Sequence, residues 1–165
     1  MGWPYGQAFQ ILILTGARRE EIGQLRWSEI EADQIRLSGE RTKTGKPHMI
    51  PLSACAQAIL AQMPVIAGSD YVFTLTGKSP IAEWSKAKRK IDELSDVTGW
   101  RTHDLRRTVA TGLQRLGINL QTIEAVLGHT GGSRGGIVGV YQRHSFDAEK
   151  REALEAWGQH LTSIQ

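Results

Sequence analysis

Apolar residues recur along this chain with two periods, and the changes of period mark its elements. Trp3 to Leu14 has helical spacing, with Pro4 early, where proline is tolerated, and Gly16 as the interruption. Arg18 to Leu25 reads as a second helical segment. Ile30 to Ser38 alternates imperfectly through Ile30, Ala32, Ile35 and Leu37, which predicts a strand. Arg41 to Pro47 has turn composition, and His48 to Leu52 reads as the returning strand, so residues 34–52 form a predicted β-hairpin with a basic tip.

Helical spacing then resumes. Ser53 is the expected N-cap of a helix reaching Met63. Tyr71 to Phe73 suggests a short strand. Ile81, Trp84, Ala87, Ile91 and Leu94 lie on one face of a further helix. Thr102 to Leu116 is helical, with Gly117 as its C-cap, and Asn119 caps a short helix through Leu127 that Gly128 ends. Thr130 to Gly136 holds four glycines in seven residues and predicts a flexible loop. Ile137 to Arg143 reads as a short helix. Asp147 is the expected cap of a last helix with Ala153, Leu154, Trp157 and Leu161 on one face. The fold class is α+β: a mostly helical domain with one small antiparallel sheet. No strand leads into a Gly-rich phosphate loop, which argues against nucleotide-binding α/β folds.

Composition narrows the picture. A chain of 165 residues, 40% hydrophobic and 22% charged, fits one folded domain over 1–165. The most apolar run, Phe9 to Leu14, is far shorter than a membrane span and lacks the basic start of a secretory signal. The single Cys55 suits a reducing cytoplasm, and its alanine neighbours suggest a small core residue. Net charge is +3, but placement says more. Bases gather at 41–46, 86–90, 101–107 and 134–143, and acids at 20–40 and 147–155. That division suits a polyphosphate partner on one surface, although solvated helix faces produce similar clusters.

Four clusters have chemical potential. Arg18 follows the helix break at Gly16 and shares a helical face with Glu21. Lys43 sits in Thr-Lys-Thr-Gly-Lys on the hairpin tip, where Lys46 competes with it. His103 and Arg106 lie one turn apart, so a proton acceptor and a bidentate phosphate ligand point the same way. His129 ends Leu-Gly-His, and Tyr141 follows the glycine-rich stretch. Taken singly, each has an ordinary explanation: a surface ion pair, a solvated turn, a capping histidine, a packed tyrosine.

Taken in order they are specific. Thr-Gly-x-Arg, a hairpin lysine, His-x-x-Arg, Leu-Gly-His and a tyrosine resemble the active-site series of the tyrosine recombinase (phage integrase) family, from Thr15 to Tyr141. The Tyr141-Gln142-Arg143-His144 segment is similar to that of integrases from temperate phages and genomic islands. The resemblance implies that Arg18 and Arg106 clamp the scissile phosphate and that Lys43 protonates the leaving 5′ oxygen. His103 would assist proton removal, His129 would bond a phosphate oxygen, Glu21 would orient the neighbours of Arg18, and Tyr141 would be the nucleophile. The twelve-residue separation of His129 and Tyr141 exceeds the usual family spacing, but Tyr141 is the only tyrosine after Tyr71.

The resemblance further implies a catalytic domain whose usual N-terminal DNA-binding domains are absent from this chain. It implies double-stranded DNA bearing attachment sites as partner, a tetramer on DNA in the full-length protein, accessory DNA-bending proteins, and no membrane. No cofactor or metal is expected: the acids form no cluster for paired magnesium ions, and the histidines lack a zinc pattern. The helix and tail over 147–165 have two readings, packing on their own domain or docking on a partner protomer. Two alternatives for function are a type IB topoisomerase-like relaxation of DNA and an inactive DNA-binding scaffold.

Overall fold

The computed structural model of the chain describes residues 1–129 and 145–164. Helix α1 (Tyr5–Thr15) begins after Pro4 and stops at Gly16, which takes a left-handed φ of 65° and donates its N–H to the Leu12 carbonyl. Helix α2 (Arg19–Gly23) starts two residues later. α1 is the centre of the core: Ala8, Ile11 and Leu12 are buried, and helices α3 (Ala54–Ala61), α5 (Thr102–Arg115) and the last helix all pack on it.

The strand expected over 30–38 is instead two. β1 (Ile30–Glu31) turns back into β2 (Gln34–Leu37) through Ala32, whose φ of 51° allows the tight reversal. β2 pairs antiparallel with β3 (His48–Pro51), with Ile35 opposite Ile50 and Leu37 opposite His48. The sheet order is β1-β2-β3. Ile35, Leu37, Ile50 and Leu52 are buried, and Arg36 is exposed, as the two-residue period of a strand requires.

The hairpin tip is more than a basic turn. Gly39–Arg41 form one 3-10 turn, and the buried Thr42 hydroxyl lies within 3.1 Å of the Gly39 carbonyl and 2.8 Å of the Lys46 carbonyl. Arg41 reaches back to Glu29 at 2.6 Å and to the Glu21 carbonyl at 3.2 Å, which ties the tip to the end of α2.

Ser53 and Asn119 cap as expected: the Ser53 hydroxyl accepts from Ala56 N–H, and the Asn119 amide oxygen from Thr122 N–H. They open α3 (Ala54–Ala61) and α6 (Leu120–Val126). Residues 71–73 form no strand. Tyr71 makes a single bridge to Arg26, while Val72 and Phe73 are buried. The next helix, α4 (Trp84–Ser95), starts later than its spacing suggests. Ile81 lies before it in the core, and Leu94, expected on the apolar face, is exposed.

α5 (Thr102–Arg115) opens with Asp104 accepting from the Arg101 N–H and closes before Gly117, at φ 81°. α7 (Asp147–Ser163) follows Phe146, which occupies the capping position in left-handed conformation, so Asp147 is the first helical residue rather than the cap. Ala153, Leu154 and Trp157 of α7 enter the core, and Leu161 is partly buried beside it. The Trp157 indole donates to the Ile13 carbonyl at 2.7 Å. Cys55 is half-buried at this junction rather than enclosed in the core, with its Sγ 3.3 Å from the Thr162 hydroxyl. Among the described residues, no helix is long and apolar enough to cross a membrane.

Candidate active site

Two helix ends and one arginine organise the site. α1 is closed by Gly16, and Gly128 lies two residues beyond the end of α6; both have positive φ (65° and 60°), a backbone state that glycine adopts without strain. Each reversal leaves carbonyl oxygens without helical partners. Arg106, only 5% exposed, answers both: Nη1 donates to the Gly16 carbonyl at 2.6 Å and Nη2 donates to the Leu127 carbonyl. A guanidinium has five N–H donors, so three remain after these two bonds. Burial, then the neighbouring Arg18 charge, pulls Arg106 down to about 10, against a smaller opposing effect of Glu21. It is therefore still cationic at neutral pH.

Arg18 stands where the chain emerges from the Gly16 break. Its extended backbone (φ −77°, ψ 148°) makes it the N-cap of α2. Glu21, 2% exposed, grips it twice: Oε2 accepts the Arg18 N–H at 2.8 Å and Oε1 accepts Nη1 at 2.8 Å. The predicted pair is therefore not a surface ion pair. Its carboxylate is buried and fully committed to holding Arg18.

His103, exposed on the first turn of α5, and Lys43, exposed on the hairpin tip, line one open cleft of about 1120 Å³ with Arg18, Glu21 and Arg101. His129 follows the Gly128 reversal and donates its backbone N–H to the Glu124 carbonyl at 3.0 Å. Its imidazole lies below the usual histidine range, first through burial, then through the charges of Arg106 and Arg18, with Glu124 opposing and His103 adding slightly. His129 thus feels the charge of both arginines, and Arg106 is bonded to the Leu127 carbonyl two residues before it. Lys46 lies on the wall of a second cleft, of about 710 Å³, with His48, Gly128 and His129. The two lysines of the tip thus face different clefts, and Lys43 is the one that shares a wall with Arg18 and His103.

The fold brings Arg18, Glu21, Lys43, His103, Arg106 and His129 to this one region. Tyr141, the expected flexible loop over 130–136 and the short helix over 137–143 lie outside the described residues. Among the described residues, no group of three or more His, Cys, Asp and Glu side chains is arranged to hold a metal ion.

Sequence reasoning passed over His48 and Lys150. His48 begins β3, and its ring lies against Gly128; a Cβ at Gly128 would lie 3.1 Å from His48 Nε2. His48 Nε2 is 3.1 Å from the Val126 carbonyl, which can only accept, so Nε2 carries the proton. Burial, then the charge of Lys150, lowers this imidazole to about 4, outweighing the raising effects of Glu21 and the Val126 bond. Lys150, itself buried, donates to the Met49 carbonyl at 3.0 Å and pairs with Asp147 at 2.9 Å. Strand alternation was the available signal for His48: Leu52, Ile50 and His48 share the inward face of β3.

The chain is similar to known proteins in sequence and in fold. Prophage integrase IntA of Escherichia coli (strain K12) is 28% identical over 155 residues, covering 90% of this chain and 37% of its own. The integrase from mycobacterium phage Brujita superposes with a TM-score of 0.72 at 20% identity, over 94% of this chain and 52% of that one. The lambda integrase catalytic core gives a TM-score of 0.61 at 21% identity, over 80% and 83%. The chain therefore spans little more than a third of prophage integrase IntA and has the fold of an integrase catalytic core. The sequence pattern of the Phage integrase family matches residues 4–147, and the chain belongs to that family.

Proposed function

We propose that this chain is the catalytic domain of a site-specific DNA recombinase, a prophage or genomic-island integrase that cleaves and rejoins DNA through Tyr141. The observation that carries the reading is the convergence of Arg18, Arg106, His103 and His129 beside the hairpin lysine. Attack on a phosphodiester adds negative charge to the non-bridging oxygens of a five-coordinate phosphorus. Fixed cationic donors are the largest source of stabilisation for such charge. Arg106 and Arg18 serve as the phosphate clamp, each prepositioned by bonds within the protein. Glu21 is the positioning residue for Arg18.

In this reading the Tyr141 hydroxyl attacks phosphorus and the 5′ oxygen departs. A phenol near ~10 in water is a weak nucleophile, so His103 assists its proton loss. Lys43 delivers a proton to the leaving 5′ oxygen, and His129 bonds a non-bridging oxygen. The 3′-phosphotyrosine conserves the bond energy, and attack by a free 5′ hydroxyl reverses the step with no ATP or metal. Exchange between two duplexes requires four strand cleavages, so four copies act together on paired attachment sites of double-stranded DNA. Accessory DNA-bending proteins would assist that assembly.

The test uses the full-length protein with two labelled duplexes bearing paired attachment sequences, in EDTA and without ATP. Recombinant duplexes are expected. Relaxation of supercoiled plasmid without exchange would favour a topoisomerase, and DNA binding without cleavage an inactive scaffold.

A further inference from the structure

The half-buried histidine of β3 has no part in the roles above, yet it occupies a junction of the site. α6 ends two residues before Gly128, and its last carbonyls must find partners outside the helix. Two successive ones do so on different elements: Val126 is held by His48 of the hairpin strand and Leu127 by Arg106 of α5. His129 follows after Gly128. The adjacent residue of β3, Met49, is bonded through its carbonyl by Lys150 of α7. One strand edge thus braces both α6 and α7.

The protonation of His48 suits this task. Burial first, then the charges of Lys150 and Arg106, act against its positive charge, and Glu21 and the Val126 carbonyl favour it. A neutral Nε2–H ring makes one directed bond to the carbonyl without adding a competing cation beside the phosphate clamp. Gly128 lets the ring lie flat against the turn, because any side chain there would meet it within 3.1 to 3.2 Å.

We propose that His48 is a positioning residue for strand cleavage: through its Nε2–H bond to Val126 it fixes the turn that gives Arg106 its Leu127 partner and sets His129 beside the two arginines. This rests on the recombinase reading, and it concerns a residue to which that reading assigns no chemical step. Displacements of about 1 Å in such a site cost on the order of 100-fold in rate.

Two polar variants separate geometry from bulk. In His48→Gln the amide nitrogen reaches to the position of Nε2 and still donates to Val126. In His48→Asn it stops short. With a nicked duplex bearing the attachment sequence, the single-turnover rate of covalent adduct formation is expected to fall 10- to 100-fold in His48→Asn and to recover mostly in His48→Gln, at similar DNA affinity. Independently, the ring titration of His129 followed by NMR should move up toward 6.5 in His48→Asn and stay depressed in His48→Gln. Wild-type behaviour of His48→Asn in both measurements overturns the proposal. So does an equal slowing of both variants with His129 unmoved, which a purely structural histidine would give. If the wild type forms no adduct, the recombinase reading falls, and the His129 titration alone decides the positioning.

Discussion

Arg106 Nη1 donates to the Gly16 carbonyl oxygen at 2.6 Å across 90 positions of sequence, and the same guanidinium holds the Leu127 carbonyl at the end of another helix. One side chain therefore fixes the spacing of the two reversals from which Arg18 and His129 emerge. The clamp is preorganised: these bonds exist without DNA, so little reorganisation accompanies the appearance of charge at phosphorus.

This geometry demands a planar fork. Arg106→Lys keeps the charge but cannot reach both carbonyls and a phosphate together. Single-turnover cleavage of a nicked duplex is expected to slow by about 100- to 1000-fold, the scale for losing one oxyanion donor. A rate near wild type would show that charge alone suffices at this position.

Glu21 is expected to matter for the fold as well as for Arg18. Glu21→Ala strands the Arg18 guanidinium and an N-cap N–H together, at a cost of about 2–4 kcal/mol, measured by urea unfolding. Glu21→Gln keeps an acceptor for one of the two bonds and should lose clearly less. Equal stability of all three proteins would contradict the buried pair.

Much of this was legible before the structure. The order of motifs located six of the residues that the fold gathers, because helix breaks at glycine and one-turn spacing are local features. What escaped notice depended on tertiary partners. Leu94 has helical spacing yet is exposed, because the contact of α4 with the core reaches only to Ile91. The strand over 30–38 broke at Ala32 because only its left-handed backbone closes the β1–β2 turn, and alanine gives no sign of that. His48 looked like an ordinary strand residue, since its partner lies 78 positions away. Lys150 carries no local signal of its burial, which follows from how α7 seats on β3.

The seating of α7 on its own domain yields a stability test. A Cβ on Gly112 would fall 2.2 Å from Trp157, so the indole lies directly on the α5 backbone. Gly112→Ala should cost about 1–3 kcal/mol by overpacking, and Trp157→Ala about 3–5 kcal/mol by cavity formation. Combined, the two should be less than additive, because truncating the indole removes the clash. Strict additivity in a denaturant double-mutant cycle would mean the two residues do not touch.

The pH dependence of stability follows from His48. Its folded value of about 4 lies below the ordinary 6.5, so the unfolded state takes up the proton first as pH falls. Stability is therefore full above 6.5 and declines through the window down to about 4, by roughly 2 kcal/mol at pH 5. His129, also lowered, contributes in the same direction. The depressed Asp70, Asp104 and Asp147 carboxylates act only at lower pH. Urea unfolding at pH 7.5 and pH 5 should show the decline in the wild type and a much smaller one in His48→Gln. An identical decline in both proteins would assign it elsewhere.

The central claim is that Tyr141 becomes joined to a 3′ phosphate in a site built by Arg18 and Arg106. Its most direct measurement is to trap the adduct on a nicked duplex bearing the attachment sequence, in EDTA, with the full-length protein, and to map the modified peptide by mass spectrometry. The account predicts a denaturation-resistant protein–DNA species whose phosphate maps to Tyr141 and which is missing in Tyr141→Phe. An adduct on another residue, or DNA binding with no adduct at all, would contradict it.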